Sequence, residues 1–314
     1  MPLPRVSVVG AGQVGATTAQ LLVLKQLADV TLIDIVEGLA KGKALDLAQA
    51  APIEGFSARI HGTTDYDAMA DSHLVIITAG LSRKPGMSRD DLLAANANIV
   101  GPIGERIARV APHAIVIVVT NPLDVMVALT LQRTGFSRHR VIGMAGVLDS
   151  ARLRAFIAEQ VHAPASRVEA MVLGSHGDLM IALRGSLTVE GKPLAQRLAA
   201  EDIDRLIERA KNGGAEVVSL LKTGSAFYAP ASGVVAMAHA ILNDTKAVLP
   251  CCAALEGEYG LRDVCIGVPV ALGARGVERV VELSLTEAER QALAAAARQV
   301  EELTSKLAAL PPAA

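Results

Sequence analysis

The run Arg5-Val6-Ser7-Val8-Val9-Gly10-Ala11-Gly12-Gln13-Val14-Gly15 decides how the chain is organised. Val6, Val8 and Val9 favour an extended strand, and glycines at 10, 12 and 15 make a G-x-G-x-x-G turn into a helical stretch. The first glycine allows the tight turn, the second lets the backbone approach a pyrophosphate, and the third lets helix and strand pack closely. The helix then presents unpaired N–H groups and a partial positive charge to an anion. Alone the motif is ambiguous, because methyltransferase-like sheets and plain glycine turns also produce it.

Asp34 narrows the choice. It ends the second strand pattern nineteen residues beyond Gly15, close to the ~20 that places a carboxylate at the ribose of a bound dinucleotide. A carboxylate there accepts both ribose hydroxyls and repels a 2′-phosphate. Ile35 and Val36 follow it rather than an arginine, so the expected cofactor is NAD and not NADP.

Outward from this loop, the first half alternates short β-branched runs with longer helical patterns, as parallel strands covered by crossover helices do. Strands are expected at Arg5–Val9, Val30–Asp34, Ala58–His61, Leu74–Thr78, Ile115–Val119 and Val141–Gly143. Helices are expected at about Val14–Leu27, Gly38–Ala50, Asp90–Val110 and Leu123–Thr134, the last closed by Gly135. After Gly146 the rhythm changes. Helices are expected at Asp149–Val161, Glu201–Leu221, Ser232–Leu242 and Thr286–Leu307, with strands around Val168–Leu173, Leu187–Val189, Ala247–Leu255 and Val264–Leu272. The expected fold class is α/β, with a doubly wound parallel sheet over residues 1–145 and an α+β substrate domain over residues 146–314.

Composition removes several functions. Of 314 residues, 51% are hydrophobic, and 32 acids against 30 bases leave a formal charge of −2. Disorder is excluded, and nothing draws the chain to phosphate backbones or anionic lipid, so neither nucleic acid nor membrane is an expected partner. The longest apolar runs, such as Ala114–Val119, fall far short of the ~20 residues that span a bilayer. Met1-Pro2-Leu3-Pro4-Arg5 passes straight into a strand pattern with no room for a secretory leader, which gives a cytoplasmic expectation. Cys251, Cys252 and Cys265 have neither zinc spacing nor an even disulfide framework and read as small buried hydrophobes. No pair of His, Cys or acids has ligand spacing on one element, so no metal is expected.

Three further stretches carry chemistry. Gly80-Leu81-Ser82-Arg83-Lys84-Pro85-Gly86-Met87-Ser88-Arg89 concentrates cations between glycines, which suits either a mobile lid over an anionic substrate or a solvated basic loop. In Leu148-Asp149-Ser150-Ala151-Arg152 the acid and the base share a helix face. They form either a surface ion pair or a carboxylate clamp beside an acid that orients a base. In Leu173-Gly174-Ser175-His176-Gly177-Asp178 a histidine stands between glycines after a strand, open to approach. The other six histidines lack such a setting and read as surface or satisfied core residues.

Taken in order with Thr120-Asn121-Pro122-Leu123-Asp124 and Leu255-Glu256-Gly257-Glu258-Tyr259-Gly260, these pieces resemble one family over nearly the whole chain, the NAD-dependent lactate/malate dehydrogenases. The resemblance implies a Rossmann sheet with a C-terminal catalytic domain. It implies that His176 is the acid/base, that Asp149 holds its tautomer, and that Arg152 binds the C1 carboxylate. Arg89 would swing in with the lid to polarise the reacting carbonyl, and Asn121 would bond the substrate oxygen. Gly10, Ala11, Gly12, Gln13, Val14, Gly15 and Asp34 would hold the dinucleotide, with Asn96 near it and Val119, Thr120 and Asn121 lining the nicotinamide pocket. Arg83, six residues before Arg89, matches the malate-specific members, where lactate-specific members commonly have Gln. Ser175 points the same way, since lactate enzymes usually have Glu there. The implied reaction is the reversible oxidation of (S)-malate to oxaloacetate, a step of the tricarboxylic acid cycle. The implied assembly is a homotetramer or homodimer, for which the apolar helices Gly38–Ala50 and Ser232–Leu242 are candidate faces. Arg275 departs from a position where relatives often have Gly and reads as a turn far from the chemistry.

Overall fold

The computed structural model describes residues 2–82 and 87–308, without the side chains of Arg89 and Ala308. The expected specificity residue Arg83 and the Arg89 side chain therefore lie outside the described residues. In the first half, β1 (Arg5–Val9), α1 (Gln13–Leu24), β2 (Asp29–Ile33), α2 (Leu39–Glu54), β3 (Ile60–Thr63), β4 (Leu74–Ile77), α3 (Arg89–Val110), β5 (Ile115–Val118), α4 (Leu123–Thr134) and β6 (Val141–Gly143) follow one another. Their strands form a parallel sheet in the order β3-β2-β1-β4-β5-β6. Chain order runs outward from β1 in both directions, so the switch point lies between β1 and β4, where α/β sheets bind ligands. Register brings the chemistry to one edge. Val9 stands opposite Ile33 and Ile77, and Ile77 opposite Val118, so Gly10, Asp34, Thr78 and Val119 emerge together.

Leu74, Val75, Ile76 and Ile77 are all fully buried, each side chain contributing about 1.5–3 kcal/mol through burial. That is why β4 reads as an unbroken apolar run rather than an alternation. Apolar clusters cover the sheet on both faces.

The second half comprises α5 (Gly146–Val161), β7 (Val168–Glu169), β8 (Val172–Gly174), β9 (Met180–Ala182), β10 (Thr188–Val189), β11 (Lys192–Pro193), α6 (Ala200–Leu221), α7 (Tyr228–Leu242), β12 (Ala247–Glu256), β13 (Arg262–Gly273), β14 (Gly276–Val280) and α8 (Glu287–Ala308). Most of its strands extend the first sheet, and only β7, β10 and β11 form a small sheet of their own. β12 pairs antiparallel with β6, Cys252 opposite Gly143, and the sheet continues through β13, β8 and β9. A Cβ on Gly143 would come within 2.8 Å of the Cys252 Cβ, so this close join needs glycine.

Several expectations shift. The single strand foreseen at Val168–Leu173 divides, because β7 pairs with β10 in a small three-stranded sheet while β8 joins the main one. The third strand lies at Ile60–Thr63 rather than Ala58–His61, and α2 runs through Pro52 to a left-handed cap at Gly55. α7 buries most of its apolar residues inside the chain, including Val234, Val235 and Met237, whereas α2 leaves Leu45 60% and Ile53 85% exposed. Arg275 sits in the β13–β14 turn and pairs with Glu278. The three cysteines are free and buried, and burial pushes the Cys265 thiol up to about 12.

Candidate active site

The glycine loop is built as its spacing suggests, with each glycine required differently. Gly10 takes φ +105°, and a Cβ there would strike the Ala79 backbone at 2.6 Å. A Cβ on Gly15 would come within 1.8 Å of the Gly10 carbonyl, so α1 can approach the turn only without one. Gly12 caps α1 with no side-chain hydrogen bond, and a Cβ there would meet nothing within 4 Å. The helix N-terminus is thus left bare over open space, and this cradle fits a pyrophosphate.

Asp34 is oriented by backbone. The Ala11 N–H donates to its Oδ2 at 2.7 Å and the Val36 N–H to its Oδ1 at 2.9 Å. A carboxylate has about four acceptor positions, so capacity for two hydroxyls remains. Lys43, missed by sequence reasoning, donates from its ammonium to the Ala11 carbonyl at 2.8 Å, so Ala11 is held through both its N–H and its carbonyl. Beside Asp34 a cavity of about 530 Å³ opens between Ile35, Tyr66 and Ile99. Burial and the neighbouring Asp34 charge push the Tyr66 hydroxyl up.

The loop after β5 forms the floor. The Thr120 hydroxyl donates to the Ala79 carbonyl at 2.7 Å, and a cis peptide joins Asn121 to Pro122. Asn96 is fully buried beneath this floor. Its Oδ1 accepts from the Leu81 N–H, while its amide donates to the carbonyls of Leu81 and Asn121. Both of its N–H groups are engaged by backbone, so it ties the base of the 80s loop to the Asn121 loop.

A second corner collects residues distant in sequence. α5 starts at Gly146, three residues earlier than expected, which puts Asp149 in its first turn and Arg152 one turn on. The His176 Nδ1 lies 2.9 Å from Asp149 Oδ2, and Arg152 Nη1 lies 3.6 Å from Asp149 Oδ1. Gly174 and Gly177 take φ +87° and +96°, and a Cβ on Gly174 would strike the Leu179 carbonyl at 2.5 Å. The glycines beside His176 therefore set the loop's shape as well as leaving the ring open. Burial works against the imidazolium, but the Asp149 charge and hydrogen bond outweigh it and hold the His176 pKa above its ordinary value. Arg152 is 14% exposed at its side chain; burial lowers its pKa and Asp149 opposes that, and it stays charged.

Gly213 and Gly214 in the middle of α6 also escaped sequence reasoning. A Cβ on Gly213 would stand 3.2 Å from Arg152 Cδ, and one on Gly214 3.4 Å from its Nη2. Each interior helix glycine costs about 1 kcal/mol relative to alanine; here the pair gives the guanidinium room. Two adjacent glycines inside a helical pattern were the available signal. A cavity of about 350 Å³ joins Asn121, Ser175 and His176 to Gln299 and Leu303 of α8. Among the described residues no group of three or more His, Cys, Asp or Glu could hold a metal ion, and no helix is long and apolar enough to cross a membrane.

Comparison with known proteins agrees with this geometry. Residues 4–143 match the lactate/malate dehydrogenase NAD binding domain, and residues 146–310 the alpha/beta C-terminal domain of the same family. The malate dehydrogenase of Chloroherpeton thalassium is 51% identical over 304 residues, covering 96% of this chain and 98% of that protein. The crystal structure of Cryptosporidium parvum malate dehydrogenase superposes with a TM-score of 0.96 at 43% identity, covering 98% of this chain and 100% of that one. The lactate dehydrogenase of the same organism, complexed with lactic acid and NAD, gives 0.95 at 39% identity over 99% and 100% of the two chains. The chain therefore belongs to the lactate/malate dehydrogenase family of NAD-dependent oxidoreductases, and its first half is that family's NAD-binding domain.

Proposed function

We propose that the chain interconverts (S)-malate and oxaloacetate with NAD, and that the observation carrying this reading is the His176–Asp149–Arg152 corner beside Asn121. Bound NAD supplies or accepts the hydride through its nicotinamide. Gly10, Ala11, Gly12, Gln13, Val14, Gly15 and Asp34 hold it, with Val119, Thr120 and Asn121 lining its nicotinamide end and Asn96 acting through the loops it joins. With Nδ1 turned to Asp149, Nε2 of His176 is the proton-carrying atom. It gives a proton to the substrate carbonyl oxygen in reduction and takes the hydroxyl proton in oxidation. Asp149 fixes the tautomer and stabilises the imidazolium. Arg152 forks onto the C1 carboxylate, Arg89 polarises the carbonyl, and Asn121 bonds its oxygen.

Arg83 selects the substrate. A guanidinium over the site pairs with the second carboxylate of oxaloacetate, but against the methyl of pyruvate it is left desolvated and unpaired, at a cost of ~3–5 kcal/mol. The relatives named malate dehydrogenase, about half identical over nearly the full length, support this choice. NADH consumption measured with oxaloacetate and with pyruvate tests it. Oxaloacetate should turn over faster by orders of magnitude, and Arg83→Gln should narrow the ratio; faster pyruvate turnover would replace malate with lactate.

The matched ranges support a division into residues 1–145, which bind the dinucleotide, and 146–314, which supply most of the catalytic side chains. The exposed Leu45 and Ile53 of α2 support a homo-oligomer, tetramer or dimer.

A further inference from the structure

Asp124 is the one buried carboxyl of the corner to which the reaction above gives no task. It lies in the first turn of α4, three residues after Asn121, and is 3% exposed. The Ser175 hydroxyl donates to its Oδ2, so the residue immediately before His176 is tied to the helix that begins beside Asn121. Its Oδ1 is buried with no hydrogen-bond partner among the described residues.

Two carboxyls thus flank one imidazole in unequal surroundings. Asp149 has the His176 ring on one oxygen and Arg152 beside the other. Asp124 faces the Ser175 hydroxyl, the thiols of Cys252 on β12 and Cys265 on β13, and His176 through its backbone N–H and its ring. A carboxylate buried this deeply is costly as a charge, and a proton lowers that cost. Burial pushes the Asp124 carboxyl up, against the opposing pull of Ser175, Cys252 and His176.

Resting on the assignment of His176 above, we propose that Asp124 stands as an uncharged acid and, through the Ser175 hydroxyl, is a positioning residue for His176. The strut fixes the spacing between the Asn121 amide and the imidazole. Because it is neutral, it leaves Asp149 alone to set the proton affinity of the ring, where a second carboxylate would hold the imidazolium too firmly to release its proton.

Infrared difference spectra of the unliganded protein carrying ¹³C-labelled aspartate, together with Asp124→Asn, Asp124→Ala and Ser175→Ala, test this. At neutral pH the unaltered chain should show a protonated-carboxyl C=O stretch that Asp124→Asn lacks. Asp124→Ala and Ser175→Ala should lower kcat by about tenfold or more while leaving the NADH Kd in place, and Asp124→Asn should recover most of the Asp124→Ala loss with the pH limb of kcat/KM unmoved. A missing band, a limb displaced by about one unit or more in Asp124→Asn, or an unchanged kcat in Ser175→Ala would overturn the proposal. Should Asp124→Ala fail to fold, the infrared band and Ser175→Ala still decide; should Ser175→Ala fail, the band and the pH limb of Asp124→Asn do. Near-normal turnover of His176→Asn would instead remove the reaction on which the strut depends, without touching the band.

Discussion

The glycine loop and the His176 corner open on the same edge of the sheet, yet the first takes its ligand-facing groups from residues 10–43 and the second draws on positions 121 to 303. At the loop the groups facing a ligand are mostly backbone N–H groups and one acid, fixed by the path of β1 and α1. At the corner they are side chains whose positions depend on α5, α6 and the β8–β9 loop packing correctly. A backbone-built site tolerates side-chain loss, whereas a side-chain site fails when any one supporting contact is lost.

Substitutions at each end sharpen this contrast. His176→Asn should reduce kcat by about 10²–10⁴ while the NADH Kd from fluorescence titration stays put, because the loop does not need the ring. Impaired NADH binding in that variant would mean that the two ends are not separable. Asp149→Asn should act on the same step and also displace its pH dependence. With His176 as the proposed acid, reduction should need the protonated imidazole, so its rate should be present at low pH and lost as pH rises through the raised His176 pKa. Removing the Asp149 charge lowers that pKa, so the fall should move to lower pH in a kcat/KM profile, and a limb that stays still would refute Asp149 as its cause.

Gly213→Val should crowd Arg152 without touching any ligand, raising the KM for oxaloacetate by about tenfold and leaving that for NADH alone. An unaffected KM would show that α6 does not set the guanidinium. The smallest effect is expected at the loop. Lys43→Met removes one hydrogen bond to a backbone carbonyl that Asp34 still helps to hold through the adjoining N–H, and it should weaken NADH binding by about tenfold or less. A loss of NADH affinity of about 10²-fold or more would end the view of the loop as backbone-built.

The parallel half of the fold was legible because its signals are local. Buried strands of four or five apolar residues, glycine punctuation and helical spacing lie within single elements. Asp34, Asp149 with Arg152, and His176 between glycines could be singled out for the same reason. The continuation of the sheet through Cys252 opposite Gly143 could not, nor could the division of Val168–Leu173 between two sheets, because pairing partners are remote in sequence.

What the residues determined unaided is therefore the turn of a dinucleotide-binding domain and the presence of an imidazole, an acid and a guanidinium in local settings that single them out. Only the folded chain decided that Asn96 braces two loops, that Lys43 clamps Ala11, that paired glycines in α6 house Arg152, and that Asp124 reaches Ser175. The reason is physical. Backbone conformation is dictated by neighbours along the chain, whereas the burial, charge and partners of a side chain are dictated by whatever the fold packs beside it.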